Sequence, residues 1–190
     1  MNSGLKHNGA QKKAWRGRPA SRICNAVWLL PLIVGACTTV PAQVTAPKPS
    51  PIFSAQSFFG GRTEGEGTLK IIFSKARHVE VHGSGRLSRD GELILDQSVE
   101  QGGTPPKQRE WRIRPTKDGQ YVGTLSDASG PVQGDVTGNR LHLHFTMKGG
   151  LDTDQWLSLS PDGRVAENTM VVRKLGLTVA TLHETIRKVD

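Results

Sequence analysis

The chain has 190 residues, a formal net charge of +8, 35% hydrophobic residues, 22 glycines and 11 prolines, a mix that suits one turn-rich β domain better than a helical bundle. The charge is no nucleic-acid footprint: Lys6, Lys12, Lys13, Arg16, Arg18 and Arg22 all fall in residues 1–36, which hold no Asp or Glu, so 8 − 6 leaves +2 for residues 37–190, where cations and acids interleave. Phosphate binding needs clustered cations, so no nucleic-acid partner is expected.

The first segment has three parts. A cationic stretch runs through Arg22, an apolar run follows from Ile23 to Val34, and the small residues Gly35 and Ala36 precede Cys37. The apolar run is shorter than the ~20 residues a spanning helix needs and contains Pro31. It reads as a signal peptide over residues 1–36. Val34-Gly35-Ala36-Cys37 resembles the lipobox of bacterial lipoproteins, with Val34 where leucine is usual. The resemblance implies cleavage between Ala36 and Cys37 and attachment of lipid to the Cys37 thiol, whose thiolate is the nucleophile. Thr38 in place of an aspartate implies sorting to the periplasmic face of the outer membrane. The other cysteine, Cys24, lies in the removed segment, so the mature chain has no thiol pair for a disulfide.

Residues 37–56 carry Pro41, Pro47, Pro49 and Pro51 and read as a linker behind the lipidated cysteine. A β domain is expected over residues 57–190. Period-two runs predict about ten strands, near residues 65–73, 76–89, 92–101, 107–115, 120–127, 131–137, 140–148, 154–160, 164–173 and 177–187. The clearest run puts Leu141, Leu143, Phe145 and Met147 on one face and His142, His144, Thr146 and Lys148 on the other. The last run also has a helical spacing, Leu182, Ile186 and Val189.

Tight-turn dipeptides Asp90-Gly91, Asp118-Gly119, Gly138-Asn139 and Asp162-Gly163 alternate with longer connections at 102–106, 128–131 and 149–153. In an up-and-down antiparallel meander every second connection lies at the same end. One end is therefore expected closed by tight turns and the other to carry a loop-rich mouth. Closing such a sheet removes its edges, so a closed or half-open barrel is favoured.

Phe58-Phe59-x-Gly61, Arg109-x-Trp111-x-Ile113, Gly119-x-Tyr121-x-Gly123, Gly138-Asn139, Asp152-x-Asp154-x-Trp156, Asn168 with Met170, and Lys174-x-Gly176 are spread along the domain. Together they resemble the bacterial envelope lipoproteins of domain-of-unknown-function family 3833. The architecture is similar to lipocalin-like barrels by fold analogy. The family implies no activity and no catalytic residue. This chain departs from its paired acids at Ser126-Asp127-Ala128-Ser129-Gly130 and at Asp154-Gln155-Trp156.

Three functions stay open. The first is a membrane-anchored module binding an apolar small molecule or lipid, its cavity lined by Trp111, Tyr121, Phe145 and Trp156. The second is a structural or interaction lipoprotein with an envelope protein as partner. The third is a hydrolase or metal protein, using Asp127, Asp135, Asp152 and Asp154 near the mouth or a metal on His78, His82, His142 and His144. Each histidine pair lies opposite an apolar face and is expected to point to solvent. No nucleophile elbow, dinucleotide fingerprint or free mature cysteine is present; no cofactor is expected, and an enzyme is the lesser expectation.

Overall fold

A computed structural model describes residues 44 and 46–189. The signal segment, the cleavage position at Ala36 and the lipid site Cys37 lie outside the described residues. A five-residue helix, α1 (Ala55–Phe59), precedes ten strands: β1 (Gly61–Ile71), β2 (Arg77–Leu87), β3 (Leu93–Gln101), β4 (Lys107–Pro115), β5 (Tyr121–Leu125), β6 (Val132–Thr137), β7 (Arg140–Met147), β8 (Leu151–Leu159), β9 (Val165–Lys174) and β10 (Leu177–Lys188). Each pairs antiparallel with its sequence neighbours, and β1 closes on β10 with Thr63 opposite Lys188 and Ile71 opposite Ala180. The closed form of the expected barrel is thus the one adopted. The final segment is a strand: burial of Leu182, Glu184 and Ile186 follows period two, which pairing with β1 and β9 enforces over the helical spacing.

The connections sort by end. Those at 88–92, 116–120, 138–139 and 160–164 share one end. Those at 72–76, 102–106, 126–131 and 148–150 share the other, joined by the two-residue β9–β10 turn at Leu175-Gly176. Only Gly138-Asn139 among the four tight-turn dipeptides makes a two-residue hairpin. The others add a residue with positive φ, as at Gly91 (76°), Gly119 (73°) and Gly163 (72°), each of which donates back across its turn, to Ser88, Thr116 and Ser160 O.

The tight-turn end is plugged by α1 and the chain before it, which corrects the expected linker boundary. Phe53 and Ala55, read as linker, are buried with Phe58 and Phe59 in the main core, together with Leu93, Leu141 and Leu157. Proline count misled there because the plug needs only one turn of helix, too short for a periodic signal. Ser54 caps it, its hydroxyl accepting from Ser57 N at 3.3 Å. Buried Asn139 brackets the incoming chain: its side-chain oxygen accepts from Lys48 N at 2.6 Å, its own N–H donates to Lys48 O at 2.8 Å, and its Nδ2 donates to Leu159 O at 2.7 Å. A Cβ on Gly138 would sit 1.9 Å from Lys48 O, so glycine is what lets the chain pass. A second apolar cluster of Leu69, Val79, Val81, Val99 and Leu182 packs on the β1, β2, β3 and β10 wall.

Candidate functional site

Between these apolar layers the barrel interior carries a polar one. Gln97 on β3, Arg109 on β4, Gln155 on β8, Asn168 on β9 and Glu184 on β10 all occupy the inward parity of their strands. Four of them line one partly open cavity of about 30 Å3 with Trp111, Leu143 and Ile186. Asn168 stands directly behind Glu184, its Nδ2 donating to Glu184 Oε2 at 2.7 Å. Opposite, Gln97 Oε1 accepts from Trp111 Nε1 at 2.8 Å and from Arg109 Nε at 3.0 Å. The Arg109 guanidinium also lies 5.9 Å from the Trp111 ring centre.

The two charges share the cavity without touching: no Arg109–Glu184 ion pair falls within 4 Å among the described residues. Glu184 Oε1 and Asn168 Oδ1 are buried with no hydrogen-bond partner. Burial pushes the Glu184 carboxyl above the ordinary range, outweighing the Asn168 hydrogen bond and the attraction of Arg109. Burial likewise lowers the Arg109 guanidinium, against the pull of Glu184 and Asp127. Glycine makes the room: a Cβ on Gly65 would lie 2.1 Å from Glu184 Oε1, and one on Gly67 would lie 2.4 Å from His183 O. Such a layer can bind a polar group by hydrogen bonds and charge, and a cavity of this size holds about one or two waters.

Three of the four expected cavity aromatics face inward. Trp111 lines the cavity, with Phe145 edge-on to it at 5.3 Å. Tyr121 serves the plug, its hydroxyl accepting from Ala55 N and donating to Gln56 Oε1. Trp156 does not line the cavity. Its neighbours Gln155 and Leu157 take the inward parity, so Trp156 faces outward and stacks on His142, centroids 5.1 Å apart and rings 8° from parallel.

The expected acid cluster is dispersed. Asp127 pairs with Lys107 at 3.2 Å, and Asp152 accepts from Thr146 at 3.1 Å. Asp154 bridges His142, His144 and Arg173 on the outer wall, while Asp135 meets the other side of His142. Partial burial raises the Asp154 carboxyl, but its bonds to His142, His144 and Arg173 together hold it below the ordinary range. His78 sits on the outer wall with Glu80 at 3.1 Å, and His82 shares that face. Among the described residues no group of three or more His, Cys, Asp or Glu is placed to hold a metal.

Gln97 and Glu184 carry no motif in the sequence, and Gln155 and Asn168 stand there only within the family resemblance, although a further signal existed. Leu95-x-Gln97-x-Val99 and Leu182-x-Glu184-x-Ile186 each put a polar residue in phase with an apolar face.

The family model described as "Protein of unknown function (DUF3833)" matches residues 31–188. The chain belongs to this DUF3833 family. No curated protein matches the sequence. Among solved structures, the S-type phycobiliprotein lyase CPES from Guillardia theta is similar with a TM-score of 0.58 at 8% identity, over 73% of this chain and 94% of that one. At that identity the likeness bears on fold, and it agrees with a lipocalin-like barrel. The motifs that carried the family resemblance now have places: Arg109 and Trp111 in the polar layer, Tyr121 and Gly138-Asn139 on the plug, and Asn168 behind Glu184.

Proposed function

We propose that this DUF3833 protein is a membrane-tethered binding module of the bacterial envelope. Lipid on Cys37 would hold it at the periplasmic face of the outer membrane. The barrel would receive a small molecule, polar at one end, through the end opposite the plug and seat that polar group on the Arg109–Glu184 layer. The observation that carries this reading is an acid and a base lining one cavity unpaired, with a carboxylate oxygen and an amide oxygen left without partners. Burying unpaired charge costs several kcal/mol, and a ligand bridging the two groups would offset that cost. The fold likeness to a phycobiliprotein lyase is consistent with a barrel used for small molecules. A ligand larger than water must widen the cavity, and Arg109, held by a single hydrogen bond to Gln97, is the side chain placed to swing aside.

The cavity's small size favours a second reading, an interaction lipoprotein docking an envelope protein. Native mass spectrometry of the protein isolated from its own host separates the two. A bound mass that disappears in an Arg109→Met, Glu184→Gln double variant supports the ligand. Bare wild-type protein that crosslinks to one envelope protein supports the second reading.

A further inference from the structure

Seven large hydrophobic side chains are exposed among the described residues, and four of them gather at one place. Ile72 and Phe73 sit in the β1–β2 connection, and Leu175 and Leu177 in and beside the β9–β10 turn. These two hairpin tips are neighbours because β1 pairs with β10, with Ile72 N donating to Val179 O at 2.9 Å. Phe73 is fully exposed and Leu175 is 93% exposed.

Their backbone makes the exposure harder to dismiss. Phe73 has φ 60° and Leu175 φ 50°, the two non-glycine residues with positive φ among those described. That region suits glycine or asparagine, and a β-hairpin turn at such a position is ordinarily built from them. The chain places glycine at its other positive-φ positions, Gly176 beside Leu175 included, but at Phe73 and Leu175 holds two large apolar side chains outward at a conformational cost.

The two segments that form the tip are cationic, with Asp152 of β8 standing opposite Arg173. Residues 68–78 and 169–182 contain Lys70, Lys75, Arg77, Arg173 and Lys174 and no acid. Arg173 is paired with Asp154; the other four are exposed and make no ion pair within 4 Å among the described residues.

We propose that this double tip docks the barrel onto an anionic lipid bilayer. Phe73 and Leu175 would enter the acyl boundary while Lys70, Lys75, Arg77 and Lys174 meet lipid phosphates. Apolar side chains ringed by lysine and arginine fit that interface, because burial of apolar area and attraction to anionic headgroups add. The tip is at the end opposite the plug, where the chain enters, so it would be a contact separate from any anchor on Cys37.

An environment-sensitive fluorophore tests this on the full chain. With Cys24 and Cys37 changed to serine, one probe goes on Ser74→Cys at the tip and a control probe on Asp90→Cys at the opposite end. Vesicles of phosphatidylcholine with phosphatidylglycerol should blue-shift the tip probe and leave the control unshifted. Phosphatidylcholine alone should give little response. Phe73→Ser with Leu175→Ser should abolish the shift. Lys75→Glu with Lys174→Glu should weaken partitioning by about tenfold or more. All four residues are exposed, so circular dichroism and melting should stay as in the parent. An unshifted tip probe, equal shifts at both ends, or a shift that survives both double variants would overturn the proposal.

Discussion

Glu184 gives up more on burial than Asn168 and Arg109 return to it, so its carboxyl titrates above the ordinary range. With the folded pKa above the unfolded one, about 4.3, Glu184 is harmless below that pH. It destabilises progressively as pH rises through the folded pKa. Thermal melts should therefore show wild type losing ground to Glu184→Gln as pH rises above the unfolded value of about 4.3, with the two converging at the acid end. Parallel melting curves would show that Glu184 ionises as freely inside the barrel as outside. Asp154 has the opposite sign. Its depressed carboxyl lends stability present above the unfolded pKa and lost as pH falls through the folded one. Asp154→Asn should thus lower the melting temperature at neutral pH and matter little in strong acid. At this scale the sequence was half legible. Arg109, Trp111 and Tyr121 stood in visible motifs. Gln97 and Glu184 were passed over because period two is usually read for its apolar members, and an in-phase polar residue looks like a flaw in the pattern. Trp156 failed for the converse reason, since a large aromatic was assigned inward although its parity with Asp154 placed it outside.

The plug is the element that sequence patterning hid. One turn of helix has no measurable period, and it follows four prolines. Yet Phe58 is among the largest fully buried side chains, packed at 4.9 Å from Phe59 and 5.8 Å from Phe53. Phe53→Ala, within the expected linker, should cost about 3–5 kcal/mol in denaturant unfolding, a loss no linker residue would show. Gly85→Ala tests the same contact from the barrel side: its Cβ would fall 1.8 Å from Phe59 O, a backbone atom that cannot rotate away. That variant should lose at least about 1–3 kcal/mol by overpacking; a neutral result would mean that the plug is not seated against β2. The strands themselves were legible to within a few residues because turn dipeptides punctuate them. The start of β8 at Leu151 rather than 154 was hidden by glycines that look like loop but end at the turn.

For the whole molecule, the order of the turns predicted which connections share an end, since an all-antiparallel neighbour-to-neighbour sheet allows no other arrangement; the expected contrast in loop length does not appear, with connections of two to five residues at one end and two to six at the other. Closure was only favoured from sequence; it depends on the β1–β10 register, which no local pattern encodes. Under the two proposals the ends would carry separate attachments. Lys48 is fixed on Asn139 at the plugged end, so a tether from Cys37 would reach the barrel there, while the apolar, cationic tip lies at the other. These two contacts respond differently to solution conditions. Acyl chains bind through buried methylenes at about 0.8 kcal/mol each and are indifferent to salt. A contact made by four surface cations is screened once the Debye length falls to about 3 Å near 1 M salt. In native cells, wild-type protein should stay with membranes through a high-salt wash. Cys37→Ser should shift to the salt-extractable fraction, and Cys37→Ser combined with Lys75→Glu and Lys174→Glu should be released without salt. Intact mass of the washed wild-type protein should show an acylated cysteine as its first residue. A Cys37→Ser protein that resists salt as well as wild type would remove the acyl anchor from the account.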